Sequence, residues 1–212
     1  MRSKAITLEF DLGQVCNDVL AKCYVVSQGL VEDAQKDIRA TIESPDAKET
    51  QSIINRAVTE AFGNLKIAAQ RYLTVGRTKD NNNLERLVKC IKVYQYTDNN
   101  NGTWTETVTT QENGEESEES NVVDKPGKDR EETVYETVTL NLEIPNWNIA
   151  VTDGLKSHMH RYVVDYVMSQ FLQDQYADKA SQYATIVGAD YDNVRSDLLS
   201  RDNYTLRRPS FT

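Results

Sequence analysis

Ile6, Leu8, Phe10 and Leu12 alternate with polar residues near the start of the chain, a period of two that fits a short leading strand or an extended arm. From Leu12 the period changes. Leu12, Cys16, Val19, Cys23, Val26 and Leu30 are spaced 4, 3, 4, 3, 4, an apolar seam along one helix face. Gly29 weakens it, and Ala34, Ile38 and Ile42 continue on a drifting face, so residues 12–43 fit one bent helix or two consecutive ones. Ser44 can cap a new helix, Pro45 suits its first position, and Asp46 and Glu49 complement its positive end. The seam that follows is Ile54, Val58, Ala61, Leu65, Ala68 and Tyr72, and Gly76 with "DNNN" at 80–83 ends it.

The middle of the chain turns to strands. "LVKCIKVYQYT" (87–97), "TWTETVTT" (103–110) and "TVYETVTLNLEI" (133–144) are rich in β-branched and aromatic residues with period-two alternation. "DNNNG" at 98–102 is a turn between the first two, and an acidic connection joins the second to the third. Pro145 closes the last strand. A long helix follows, with Leu155, Met159, Tyr162 and Tyr166 on one stripe, widened by Val163, Val167 and Phe171. Tyr176, Ala180, Tyr183 and Val187 resume the spacing, Gly188 stops it, "DYDNVRSDLLSR" reads as a short last helix, and "DNYTLRRPSFT" as an extended tail.

The expected fold is therefore mainly α with a β insertion (α+β). It has a helical bundle of two or three long helices plus a short C-terminal helix, and an antiparallel meander inserted between helices. The parts are a helical segment 1–76, a meander 84–145 with an acidic loop 111–132, the C-terminal helices 146–200 and a tail 201–212, all in one compact domain. A chain of 212 residues buries a core without a disulfide or metal staple. No apolar run reaches the ~18 residues a membrane span needs, and no secretory signal opens the chain, so a soluble protein made in a cytoplasm is expected.

Charge sharpens this picture. Residues 111–132 hold nine acids and three bases within a total net charge of −9, so the rest of the chain is nearly balanced. An acidic chain lacks the basic footprint that tight wrapping of nucleic acid requires. Glu115, Glu116, Glu118 and Glu119 come in adjacent pairs, unlike the alternating ligands of a calcium loop. The stretch reads as a solvated hairpin tip, with contact to a basic partner as the functional alternative.

Candidate chemistry is sparse. Phosphate-cradling and dinucleotide glycine patterns are missing, as is a nucleophile elbow. His158 and His160 lie two apart, so on a helix they point in nearly opposite directions and cannot grip one metal together. A nuclease would want acid-x-Lys on a strand, and Glu143 is followed by Ile144 and Pro145 instead. Cys16 and Cys23 lie seven apart on one helix, roughly 10 Å along its axis, too far for a disulfide. No catalytic role, metal or cofactor is expected.

Tyrosine is the residue that stands out, with eleven against four phenylalanines. It favours places where an apolar face meets a polar partner. Tyr162 and Tyr166 suit either an interface or the rim of the monomer core. Tyr176 and Tyr183 sit in surroundings ("QDQYADKASQYATI") too polar for a monomer's centre, and Tyr191 and Tyr204 follow them as interface candidates. Arg201, Arg207, Arg208 and Phe211 give an acidic protein a basic tail with an aromatic anchor, suited to docking in a partner's groove.

The helix "ETQSIINRAVTEAFGNLKIAAQRYL", the helix "LKSHMHRYVVDYVMSQFLQDQYADKASQYATI" and the tail "NYTLRRPSFT" together resemble the head–tail connector (adaptor, or neck-ring) proteins of tailed bacteriophages. The likeness is one of architecture and covers about 120 residues. It implies a structural virion protein assembled in the bacterial host cytoplasm. Its subunits would form a homo-oligomeric ring between portal and tail proteins, with duplex DNA passing through the lumen unbound. Two other classes remain open. One is another virion part, such as a tail-completion or capsid-decorating protein; the other is a soluble enzyme or regulator with an unrecognised site.

Overall fold

The computed structural model describes residues 3–30, 48–74, 88–112 and 114–200. The chain divides into two units. One comprises Met1–Phe10, Gln14–Leu84 and Val138–Thr212, and the other Asp11–Gly13 and Glu85–Thr137.

In the first unit the leading alternation forms a strand, β1 (Ser3–Asp11), whose Leu8 and Phe10 are buried. It leads into α1 (Leu12–Gln28), and Gly29 follows the helix end. The seam lands as its spacing predicts, with Leu12, Val19, Cys23 and Val26 inside. Val15 replaces the half-buried Cys16 on the core face. Helix α2 (Lys48–Ala69) buries Ile54, Val58, Ala61 and Leu65 on one stripe, and Phe62 meets Phe10 edge-on at 5.4 Å. The cap at Ser44 and Pro45, and the question of one helix or two over 12–43 beyond Leu30, lie outside the described residues.

The second unit holds β2 (Val88–Asp98), β3 (Trp104–Glu112), β4 (Glu115–Val123) and β5 (Arg130–Tyr135). They form one antiparallel sheet in the order β4-β3-β2-β5, a Greek-key arrangement in which β5 returns to the far side of β2. Strand β6 (Thr137–Pro145) leaves that sheet and pairs with β1 in the first unit. It buries Val138, Leu140, Leu142 and Ile144 on one face. Backbone bonds from Thr74 to Asn141 and from Glu143 to Tyr72 tie the end of α2 to β6.

These sheets overturn the expected helical bundle with one inserted meander. Among the described residues the chain is a mixed α+β structure of four α-helices and two antiparallel sheets. The reasons are local. "TVYETVTLNLEI", read as one strand, breaks at Glu136, and its more apolar half joins the leading strand, with which it shares a core face. The acidic stretch read as a loop is strand β4 from Glu115 to Val123, in register with β3 from Glu112 back to Trp104. Asn-Gly at 113–114 is the strongest short hairpin signal a sequence offers, and Gly114 adopts φ +82°, a conformation suited to glycine.

Beyond Pro145 a single 3₁₀ turn, Ile149–Val151, precedes α3 (Thr152–Phe171). The expected long helix stops there: polar Gln173 and Asp174 are exposed, and Tyr176 holds the position just before a second helix, α4 (Ala177–Leu199), without a side-chain capping bond. Helix α4 runs straight through Gly188, so the short last helix is part of it. A Cβ at Gly188 would have open space around it. Gly188→Ala should therefore stabilise the chain by about 0.5–1 kcal/mol through a less entropic unfolded state. Thermal melting checks this, and a lowered midpoint would contradict an unbroken helix.

Candidate functional site

Helices α3 and α4 pack closely against each other, and α2 lies along α3. Apolar stripes explain most of that packing, but two core positions are carboxylates. Asp165 on α3 is 2% exposed and Asp190 on α4 is 1% exposed. Both are compensated. Lys22 of α1 donates a hydrogen bond to Asp165, and Arg161 Nη2 stands 3.1 Å from Asp190 Oδ1. Asp190 Oδ2 is buried with no hydrogen-bond partner among the described residues. Burial pushes the Asp190 carboxyl above the ordinary carboxylate range; Arg161 opposes the shift and the neighbouring Asp165 charge adds to it.

Both histidines join this seam of charges. His158 Nδ1 lies 2.7 Å from Asp197 Oδ2 on α4, and His160 Nε2 lies 2.7 Å from Asp18 Oδ2 on α1. They point to opposite neighbours, as their spacing predicts. Among the described residues no group of three metal-ligating side chains exists. The seam thus locks α1, α3 and α4 in register. No disulfide joins Cys16, Cys23 or Cys90, and burial raises the Cys23 thiol to about 12, the behaviour of a small core hydrophobe.

Tyrosines line the same helices. Tyr162 sits between Tyr166 and Tyr191, at ring separations of 5.9 and 5.5 Å. Its hydroxyl accepts a bond from Asn64, and burial raises its pKa. The Tyr166 hydroxyl donates to Glu60. Tyr183 is half-buried beneath the Lys22 ammonium, 5.5 Å from its ring centre, and burial followed by the Asp165 charge raises its pKa.

Where the C-terminal ends of α2 and α4 come together they leave a cleft of about 420 Å³. Arg71 and Tyr72 line one side, Tyr191 and Arg195 the other. Ile67 and Leu199 stand at its wall with 67% and 68% of their surface in solvent. Both guanidinium groups are exposed, and among the described residues neither is in an ion pair and no acid lines the cleft. It offers two cations, two aromatic rings and an aliphatic rim, the composition of an interface hot spot.

Of the interface candidates named from the sequence, Tyr191 lies in this cleft. Tyr176 and Tyr183 lie farther toward the start of α4, Tyr176 at its cap and Tyr183 beside Lys22. Tyr204, Arg201, Arg207, Arg208 and Phe211 lie outside the described residues. Glu115, Glu116, Glu118 and Glu119 stand together on exposed β4. Sequence reasoning missed Asp165 and Asp190, although one signal was present. Val187, Asp190, Val194 and Leu198 are spaced 3, 4, 4, which puts a carboxylate on a core stripe. Nothing in the sequence marks Arg71 and Arg195 as neighbours. No protein-family model, curated protein or solved structure matches this chain.

Proposed function

We propose that this chain is a structural subunit of a tailed-phage particle, a head–tail connector that forms a ring between portal and tail proteins. The observation that carries the reading is the open cleft between α2 and α4. Arginine, tyrosine and two largely exposed aliphatic side chains converge there on one small surface. That combination is favourable once a partner excludes water and wasteful while it remains solvated. The role does not involve catalysis. The net acidic charge of the chain complements it, since a negatively charged lining in a ring repels phosphate and lets duplex DNA slide.

Native mass spectrometry of the purified full chain, alone and mixed with portal and tail components of the same particle, tests the proposal. A closed ring of one stoichiometry, formed alone or on the portal, is the expected result. A chain that stays monomeric throughout, and binds neither component, would overturn it. A chain that decorates capsids but not portals would move the reading to another virion part.

A further inference from the structure

The first unit carries a cationic, aliphatic-rimmed cleft, and the second carries a strand of the opposite character. Strand β4 is an edge strand, so one side of its backbone is unpaired within the sheet. Its sequence, Glu-Glu-Ser-Glu-Glu-Ser-Asn-Val-Val, holds four acids and no base. All four glutamates are exposed, and none has an ion pair among the described residues. Side chains two apart in a strand share a face, so Glu116, Glu118, Ser120 and Val122 project together. Val122 is 70% exposed, an unusual place for an aliphatic side chain at the end of an acidic row.

We infer that the Arg71–Arg195 cleft receives the β4 edge strand of a second copy of this chain, an inference that rests on the ring reading above. Glu116 and Glu118 meet the two guanidinium groups, and Val122 covers the apolar wall formed by Ile67 and Leu199. The complementarity is specific in three respects. Among the described residues the cleft has cations without acids, the strand has acids without cations, and each carries exposed aliphatic surface that the other would cover. Four glutamates crowded on one strand repel each other until a cation approaches, and carboxylates take arginine bidentately. The contact is head-to-tail, because cleft and strand are different surfaces, and such a contact closes into a ring when its rotation permits. The densely acidic edge also discourages direct strand-to-strand pairing between copies, leaving the cleft as the favoured partner.

Charge reversal in trans tests this. One variant carries Arg71→Glu and Arg195→Glu, the other Glu116→Arg and Glu118→Arg. All four side chains are exposed, so circular dichroism and melting should match the unaltered chain; Arg71→Gln with Arg195→Gln serves if the reversal disturbs folding. Each variant alone should associate roughly 100-fold more weakly or worse, because like charges now face each other. Mixing the two should restore assembly, in species that alternate variants by native mass spectrometry. Assembly of either variant at the unaltered affinity, or failure of the mixture to recover, would overturn the inference while leaving the connector reading intact. An unaltered chain that never self-associates but binds the portal would do the same. A chain that does neither sinks both.

Discussion

Trp147→Ala should lower the unfolding free energy of the first unit by about 3–5 kcal/mol, the cost of removing a fully buried large side chain and leaving a cavity. Trp147 is 0% exposed and sits between β6 and the 3₁₀ turn that precedes α3. Its indole Nε1–H donates to Thr152 Oγ1 at 3.0 Å, fixing the first residue of α3. Its carbonyl accepts a bond from Lys4 Nζ at 3.0 Å, which secures β1 as well. Asn146, at φ +51°, turns the chain so that the ring enters the core. One side chain thus joins strand, turn and helix. Trp147→Phe, which keeps an aromatic ring but loses the hydrogen bond and some volume, should cost about half as much or less. Urea unfolding followed by helical circular dichroism measures both. A loss under about 1 kcal/mol for the alanine variant would show that the ring is not part of the cooperative core.

Lys22→Met should cost about 2–3 kcal/mol near neutral pH, below the 3–5 kcal/mol typical of a fully buried pair because the lysine side chain is 36% exposed. The variant leaves Asp165 buried beside Asp190 with Arg161 as the one remaining cation of the quartet. The surrounding charges are Asp18 on α1, His158 and His160 on α3, and Asp197 on α4, with the Tyr183 ring against the lysine. Asp190 already has a folded pKa above its unfolded value, so its protonated form is favoured in the native state. The stability it contributes is fully present below the unfolded carboxylate pKa and is lost as pH rises through the folded one. Removing Lys22 leaves the Asp165 charge, which already pushes Asp190 upward, without its own cation, and so strengthens that sign at Asp190. The deficit of the variant should therefore be largest at neutral pH and shrink as the solution is acidified into the carboxylate range. Denaturation midpoints across that range report it, and a deficit that grows toward acid would reject the shared carboxylate site. Lys22→Met with Asp165→Leu should recover much of the loss, since an apolar pair of similar volume replaces a buried ion pair at little cost.

The parts of this fold visible in the sequence are those governed by local periodicity. Leu8 and Phe10 alternate and form a strand; Val19, Cys23 and Val26, and Ile54, Val58, Ala61 and Leu65, keep helical spacing and lie inside. What periodicity cannot give is pairing between distant segments. That β1 takes β6, and that β5 crosses to the far side of β2, depends on which apolar faces share a core. The acidic strand was hidden by its composition, because glutamate and serine are poor strand formers and the Asn-Gly turn carried the opposing signal. Arg71 and Arg195 are over a hundred residues apart, and only the packing of α2 against the α3–α4 hairpin makes them neighbours. The buried carboxylates were legible as polar residues on apolar stripes, but their cations on other helices were not.

The four-stranded sheet buries only Cys90 among the side chains of its strands. Its cohesion comes from ladder hydrogen bonds and cross-strand contacts, such as Tyr96 with Glu106 and Arg130 stacked 4.3 Å from the Tyr94 ring. A sheet with so little apolar burial has little hydrophobic free energy of its own to hold it ordered. Association would then be a folding event as much as a docking event. Backbone amides of β2–β5 would exchange with solvent quickly in the free subunit and slowly in the assembled one.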